Sequence, residues 1–362
     1  MSTPRGGPGK MTNPDDEAAA AQLHHDLNDS IRQAHRTARP ILTHLNADTT
    51  WLLSIPKPDY RPFHSTRSRY NLLIDPWLQG PQSDVAGWFS KQWHAVESSV
   101  GSILELDELL RDAEAFEYER HATSETTARN SYIDAVVISH EFTDHCHKAT
   151  LLEVNTKVPV FATGKAAQLI RSWNHFSTVI EMASFGNGED WRTTSTPPLP
   201  EWIGISRIVT SSDALYYHSA VLICTRISDS ESEAAEAVIY TPHGLAVSGI
   251  ATITTAKPPI DSLALLHGLH DISLVGNQLN LGAVNAIKAQ QLLNAKFWIG
   301  THDEEKKKWG LISPFLRRKP LTVSEAFAQV QATAKVEFDG TEAMIEEPIY
   351  VELGNGESLL LA

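Results

Sequence analysis

Between residues 136 and 151 the chain reads VVISHEFTDHCHKATL. An apolar, β-branched run stops, and His140, Glu141, Asp144, His145 and His147 follow at once. Imidazoles with a nearby carboxylate suit borderline divalent metals such as zinc, manganese and iron. More imidazoles stand at comparable places. His218 precedes the run SAVLICTRI, His243 ends AVIYTP, His267 and His270 lie at the end of SLALL, and His302 follows AKFWIG. The chain has sixteen histidines, and any one alone is more often structural than a ligand. Their recurrence at the ends of apolar runs is what suggests a metal site, because loops from one sheet edge converge there on a rigid scaffold. A catalytic metal takes about three protein ligands and leaves one position open for water. Water bound there ionises near neutral pH and becomes the nucleophile.

The elements that must position these residues alternate along the chain. Strands are expected at 50–55, 70–78, 134–139, 158–163, 202–210, 219–227, 237–242, 262–267 and 295–300. Helices are expected at 105–116, 164–173, 282–294 and 322–335, and from His145 onward with Asp144 as N-cap. The segment EPIYVELGNGESLLLA reads as a β-hairpin turning at Gly354-Asn355-Gly356. The order is mixed rather than strictly βαβ, which predicts an α/β sandwich with two sheets inside helical layers. No linker divides the middle. The reading is one domain over 45–362, preceded by a partly disordered tail over 1–44 that includes a short helix.

Composition narrows the function. The chain has 362 residues and a formal net charge of −14, which disfavours nucleic acid as a partner. No apolar run is long enough to span a membrane, and no signal peptide is evident. Two cysteines, Cys146 and Cys224, fit a reducing compartment, so a cytoplasmic location is expected. The basic cluster of Lys306, Lys307 and Lys308 with Arg317, Arg318 and Lys319 has two readings: a solvated loop, or an anion-attracting rim beside a site. Trp88 and Trp93 belong to a core or wall a pocket.

SHEFTDHCH resembles the His-x-His-x-Asp-His signature of the metallo-β-lactamase superfamily. YNLLIDPWLQGP, YYHSAVLI, AVIYTPHG and KFWIGTHDE resemble further landmarks of that family in order, most like the branch of the ascorbate-6-phosphate lactonases. The resemblance implies a four-layer αββα sandwich. It also implies two metals, but the ligand set is broken. His140 and His218 match the first site, and Phe142 stands where its middle histidine belongs. Asp144, His145 and His302 match the second site, and His243 replaces the bridging aspartate. Phenylalanine has no lone pair to give, and a neutral imidazole is a poor bridge. The implied centre therefore holds one divalent metal, zinc before manganese or iron. Its ligands are Asp144, His145, His302 and His243, with His140 and His218 beside it as hydrogen-bond or proton-transfer groups.

The function so implied is a metal-dependent hydrolase of a small-molecule lactone, ester, amide or phosphoester, with Asp144, His243 and His218 as catalytic groups. Two other readings stand beside it: a catalytically degenerate binding or scaffold protein on the same fold, and a nuclease of the same superfamily, which the net charge opposes. His147 is expected to cap or support, Cys146 to pack as a small hydrophobe, and Glu141 to face a helix or solvent. His267 and His270 could each reach the pocket.

Overall fold

The computed structural model describes residues 22, 31, 37–58, 67–83, 88–118, 131–210, 217–226, 233–311, 315–337 and 346–362. Most of the expected tail and most of the loop between the strands expected at 50–55 and 70–78 lie outside these residues.

Two large sheets face each other. The first runs, edge to edge, Ser358–Leu360, Ile41–His44, Trp51–Pro56, Arg69–Ile74, Ala135–Ile138, Val160–Ala162 and Val179–Glu181. The second runs Tyr350–Val351, Phe297–Ile299, Ile260–His267, Ala235–Thr241, Ala220–Arg226 and Ile203–Ile208. Alternation along each strand sorts side chains between layers. Leu72, Ile74, Ala135, Val137 and Phe161 point between the sheets, where they meet Ile205, Val221, Ile223, Tyr240, Leu266 and Ile299. Their neighbours Leu73, Val136, Ile138 and Val160 point outward, onto Leu106, Leu110 and Ala113 of the helix Ile103–Tyr118 and Ala166 and Ile170 of the helix Gly164–Ser172. The outer face of the second sheet packs Leu222, Ile239 and Leu265 against Ile250 and Ile253 of the helix Val247–Thr254 and Ala289 and Leu293 of the helix Ala283–Leu293. Three apolar seams thus join four layers, helix–sheet–sheet–helix.

Strand direction creates the working edge. Arg69–Ile74, Ala135–Ile138 and Val160–Ala162 are parallel neighbours, so their carboxyl ends open together. Ala235–Thr241, Ile260–His267 and Phe297–Ile299 are parallel in the other sheet. Asp75, His140, His243 and His302 all lie just beyond such carboxyl ends, where ligand sites of α/β sheets form.

Three expectations are corrected. The C-terminal segment is not a hairpin: Tyr350–Val351 pairs in parallel with Phe297–Ile299, and Ser358–Leu360 pairs antiparallel with Ile41–His44 in the other sheet. The Gly-Asn-Gly turn redirects the chain across the sandwich. Ile41–His44, assigned to the tail from sequence, is a fully buried strand held by Ser358–Leu360 on one side and Trp51–Pro56 on the other. The helix expected from His145 reduces to Lys148–Leu151, and its N-cap is His147, whose side chain accepts from Thr150 N. Asp144 sits in the preceding turn, free of capping duty.

Candidate metal centre

His145 is the centre of the cluster. The turn after Ala135–Ile138 buries it completely, with its Nδ1 2.8 Å from Asp75 Oδ2. Asp75 also accepts hydrogen bonds from Ser139 N at 2.7 Å and from the Ser139 hydroxyl. A carboxylate in that role only accepts, so His145 Nδ1 carries the hydrogen and Nε2 presents its lone pair inward. His302 repeats the device. Its Nδ1 lies 3.0 Å from Asp48 Oδ1, and its backbone N–H donates to Asp48 O at 2.9 Å. These bonds hold His302 at φ 59°, in the left-handed region that non-glycine residues seldom occupy. Asp75 is held likewise at φ 43°.

His243 closes the group. Its Nε2 lies 3.1 Å from His145 Nε2, and its buried Nδ1 has no hydrogen-bond partner among the described residues. The next residue, Gly244, turns the chain at φ 86°, and a Cβ there would come within 2.5 Å of Leu281 Cβ. Asp144 brings Oδ1 to 3.7 Å from His145 Nε2 and Oδ2 to 3.9 Å from His302 Nε2. The ring centroids of His145 and His302 are 5.0 Å apart, those of His243 and His302 5.2 Å, and those of His140 and His243 4.5 Å. His140 Nε2 is also buried without a partner among the described residues. Phe142 and Tyr217 wall one side, their ring centroids 5.3 Å apart.

The donor set fits a divalent ion. Ligand nitrogens of His145, His243 and His302 lie within 4.8 Å of one another. A tetrahedral shell with bonds of about 2.0–2.1 Å has edges of about 3.4 Å, so small rotations of these rings suffice. Charge agrees with geometry. Asp48, Asp75 and Asp144 are three carboxylates at the centre, and Lys306 is the one ammonium touching them among the described residues. With the imidazoles neutral, two negative charges remain for a dication to balance.

The ionisation states follow from the same contacts. Burial drives His140 and His243 well below the ordinary imidazole value, and neighbouring imidazoles add to it. Burial also lowers His302, although Asp48 opposes it. For His145 burial is outweighed by Asp144 and Asp75, which raise it. Burial penalises the carboxylates of Asp48 and Asp144, yet Lys306 and the imidazoles pull both below the usual range.

The structure thus brings Asp144, His145, His243, His302 and His140 together. His218 is half-buried just before the strand Ala220–Arg226. His267 does not join the cluster: it is buried, with Nδ1 2.8 Å from Gly268 O and Nε2 2.8 Å from Asn285 Oδ1. His270 turns to Asp303, at 3.3 Å. Burial pushes that carboxyl up to about 7. Cys146 is buried, and Glu141 faces Lys165 at 3.4 Å. The tryptophan that lines the centre is Trp77, fully buried, with Lys306 Nζ 5.4 Å from its ring centroid. Trp88 is 64 % exposed, and Trp93 sits in the short strand Lys91–Trp93.

Lys306 overturns both readings of the basic cluster for that residue. Its side chain is only 10 % exposed, and its ammonium lies 2.6 Å from Asp48 Oδ2 and 3.0 Å from Asp144 Oδ2. Lys307, Lys308, Arg317 and Lys319 are exposed, as a solvated surface requires. Asp48, Asp75 and Lys306 are the participants that sequence reasoning missed. Only Asp75 carried a signal, as the aspartate of the Asp-Pro step after its strand.

No protein-family profile matches the chain, and no curated protein matches it in sequence. Solved structures do resemble it. An isothiocyanate hydrolase from Delia radicum gut bacteria aligns at TM-score 0.50 and 15 % identity, over 88 % of this chain and 98 % of that one. A possible metal-dependent hydrolase from Veillonella parvula aligns at TM-score 0.51 and 12 % identity, over 89 % of this chain and 100 % of that one. The metallo-β-lactamase fold protein YhfI from Bacillus subtilis aligns more loosely, at TM-score 0.43 and 11 % identity, over 89 % of this chain and 99 % of that one. Likeness at such identities speaks of architecture alone, and the architecture shared with the two hydrolase structures is the helix–sheet–sheet–helix sandwich described above.

Proposed function

We propose that the chain is a metal-dependent hydrolase with one divalent ion, zinc before manganese or iron, held by Asp144, His145, His243 and His302. The observation that carries this reading is the pair of buried carboxylate–imidazole contacts. Asp75 and Asp48 fix the Nδ1 hydrogens of His145 and His302, so both Nε2 lone pairs turn toward His243. Such pairing orients metal-binding imidazoles and raises their basicity. When bound, the metal supplies Lewis acidity that polarises a carbonyl or phosphoryl group and acidifies water.

The chain's own groups do the rest. Asp144 would give one oxygen to the ion while its Oδ2 stays on Lys306, 3.0 Å away. His140 stays neutral in its buried position and offers an unpartnered Nε2 for proton transfer. His218, half-buried just before the strand Ala220–Arg226, is proposed as a further proton-transfer group. Phe142 and Tyr217 present an apolar wall that suits a small organic substrate. The class we propose is a lactone, ester, amide or phosphoester, a lactone first, following the resemblance to the ascorbate-6-phosphate lactonases. Neither nucleic acid nor a membrane is proposed as a partner. No helix among the described residues is long and apolar enough to cross a membrane. Cys146 and Cys224 are free and buried, in keeping with a cytoplasmic setting.

The test is metal analysis of protein purified without chelator, with hydrolysis assays on simple lactones and esters. One ion per chain and turnover, both lost in His145→Ala, is the expected result. A folded wild type with no bound metal and no turnover replaces this reading with the binding or scaffold one.

A further inference from the structure

Lys306 does more than neutralise a neighbour. Asp48, Asp144 and His302 place a ligand atom each within 4.8 Å of one another, a second group able to hold a cation, adjoining the His145–His243–His302 trio and sharing His302 with it. The Lys306 ammonium lies on both of its carboxylates, at 2.6 Å and 3.0 Å. We propose that Lys306 is a built-in cation: its ammonium fills the position framed by Asp48, Asp144 and His302, and so limits the centre to a single exchangeable metal ion. This rests on the one-metal reading only for the ion it leaves room for.

The surroundings anchor the backbone on both sides of Lys306. Strand Lys307–Trp309, immediately after Lys306, pairs with Lys91–Trp93 and anchors the lysine's backbone from one side. From the other side, Arg318 donates to the carbonyls of Asp303 and Glu304 at 3.1 and 2.8 Å. The Glu304 carboxylate accepts from Ala95 N at 2.6 Å and meets His94 Nδ1 at 2.7 Å. The ammonium itself lies over the Trp77 ring, 5.4 Å from its centroid, where it meets the two aspartates. An ammonium has three donors, no acceptor and a fixed charge of one. It therefore orders Asp144 by holding Oδ2 and leaving Oδ1 on the imidazole side. A divalent ion in the same place would instead draw Asp144 and His302 into its own shell and compete for them. Lys306 is in this sense a positioning residue that sets metal number.

Removing the ammonium should reopen the position. The variant is Lys306→Met, which keeps the stem and drops the charge. Metal per chain is counted by elemental analysis after equilibration with Zn²⁺ or Mn²⁺ and removal of free ion, with folding followed by circular dichroism. The expected result is one more ion per chain in Lys306→Met than in wild type, abolished again in Lys306→Met with Asp48→Asn. Should Lys306→Met fold only in the presence of Mn²⁺, the ion has taken the lysine's place and the proposal stands. A Lys306→Met protein that folds and gains no ion overturns it, and so does one that stays unfolded with metal while the double variant folds. Counts of zero in wild type and one in Lys306→Met would uphold the built-in cation and defeat the one-metal hydrolase reading. Counts of one in both would do the reverse.

Discussion

Asp75→Asn asks whether a buried carboxylate sets the tautomer of His145. The two side chains have nearly the same shape, so packing at this fully buried site is preserved. Hydrogen bonding is not. The Asp75 carboxylate accepts from Ser139 N, the Ser139 hydroxyl and His145 Nδ1. An amide has one accepting oxygen. If that oxygen keeps Ser139 N–H, the amide NH₂ faces His145 Nδ1 and can only donate to it. The imidazole hydrogen must then move to Nε2, where it blocks the lone pair a metal needs. Loss of such an orienting partner typically costs about 10–100-fold in metal affinity, or about 1.4–2.7 kcal/mol. Weakening charge-assisted hydrogen bonds should also remove about 1.5–3 kcal/mol of stability from the metal-free protein. Zinc affinity is measured by competition with a chromophoric chelator, and stability by urea unfolding of the metal-free form. A folded Asp75→Asn protein that binds zinc within twofold of wild type would refute the tautomer argument.

Three further outcomes are expected. In the metal-free protein, burial lowers seven histidines: His44, His140, His147, His243, His267, His270 and His302. The unfolded chain takes up these protons near pH 6.5 while the folded chain resists, so stability is full above about pH 6.5 and declines as pH falls below it. His145 and the carboxyls of Asp107, Glu114, Asp134 and Asp303 are raised and act in the opposite sense, five groups against the seven lowered histidines; a melting temperature that holds level or rises from pH 7 to pH 5 contradicts this. Gly244→Ala places a Cβ 2.5 Å from Leu281 Cβ on a backbone at φ 86°, which should destabilise the chain by about 1–3 kcal/mol and weaken metal binding through His243; unchanged urea midpoint and zinc affinity would remove that residue from the argument. Asp48→Asn frees His302 and weakens the hold on Lys306, so bound metal should be lost more readily to EDTA, as read by the release rate; an unchanged rate would mean that His302 needs no orienting carboxylate.

Sequence reading reaches the fold through short buried runs. DAVVIS, VPVFAT and SAVLICTRI are continuous and β-branched because both faces of their strands are covered, and each appears as a strand within a few residues. Histidines at strand ends were legible for the same reason, since the parallel order brings those ends to one edge. Two participants were not legible. Asp48 sits in LNADTT, which looks like any polar turn, and its role depends on His302, 254 residues away. Lys306 heads a run of three lysines, and nothing local separates the buried one from its exposed neighbours. The hairpin at Gly354–Gly356 failed because turn residues announce a reversal without saying which strands it joins. Edge strands such as Lys91–Trp93, Asn277–Asn280 and Leu316–Lys319 carry no continuous apolar run and escape any hydrophobic pattern.

The last residues of the chain stitch both halves of the sandwich. Tyr350–Val351 extends one sheet, Ser358–Leu360 extends the other, and Gly356 N donates to His44 O at 2.7 Å between them. During synthesis, strand Ile41–His44 emerges early yet waits for a neighbour translated some three hundred residues later, 315 positions separating Thr43 from Ser358. Until then a buried-type strand presents an open edge to other nascent chains. Shortening the C-terminus by a handful of residues should therefore lower the yield of folded protein, and raise aggregation, even though every metal-capable side chain is retained.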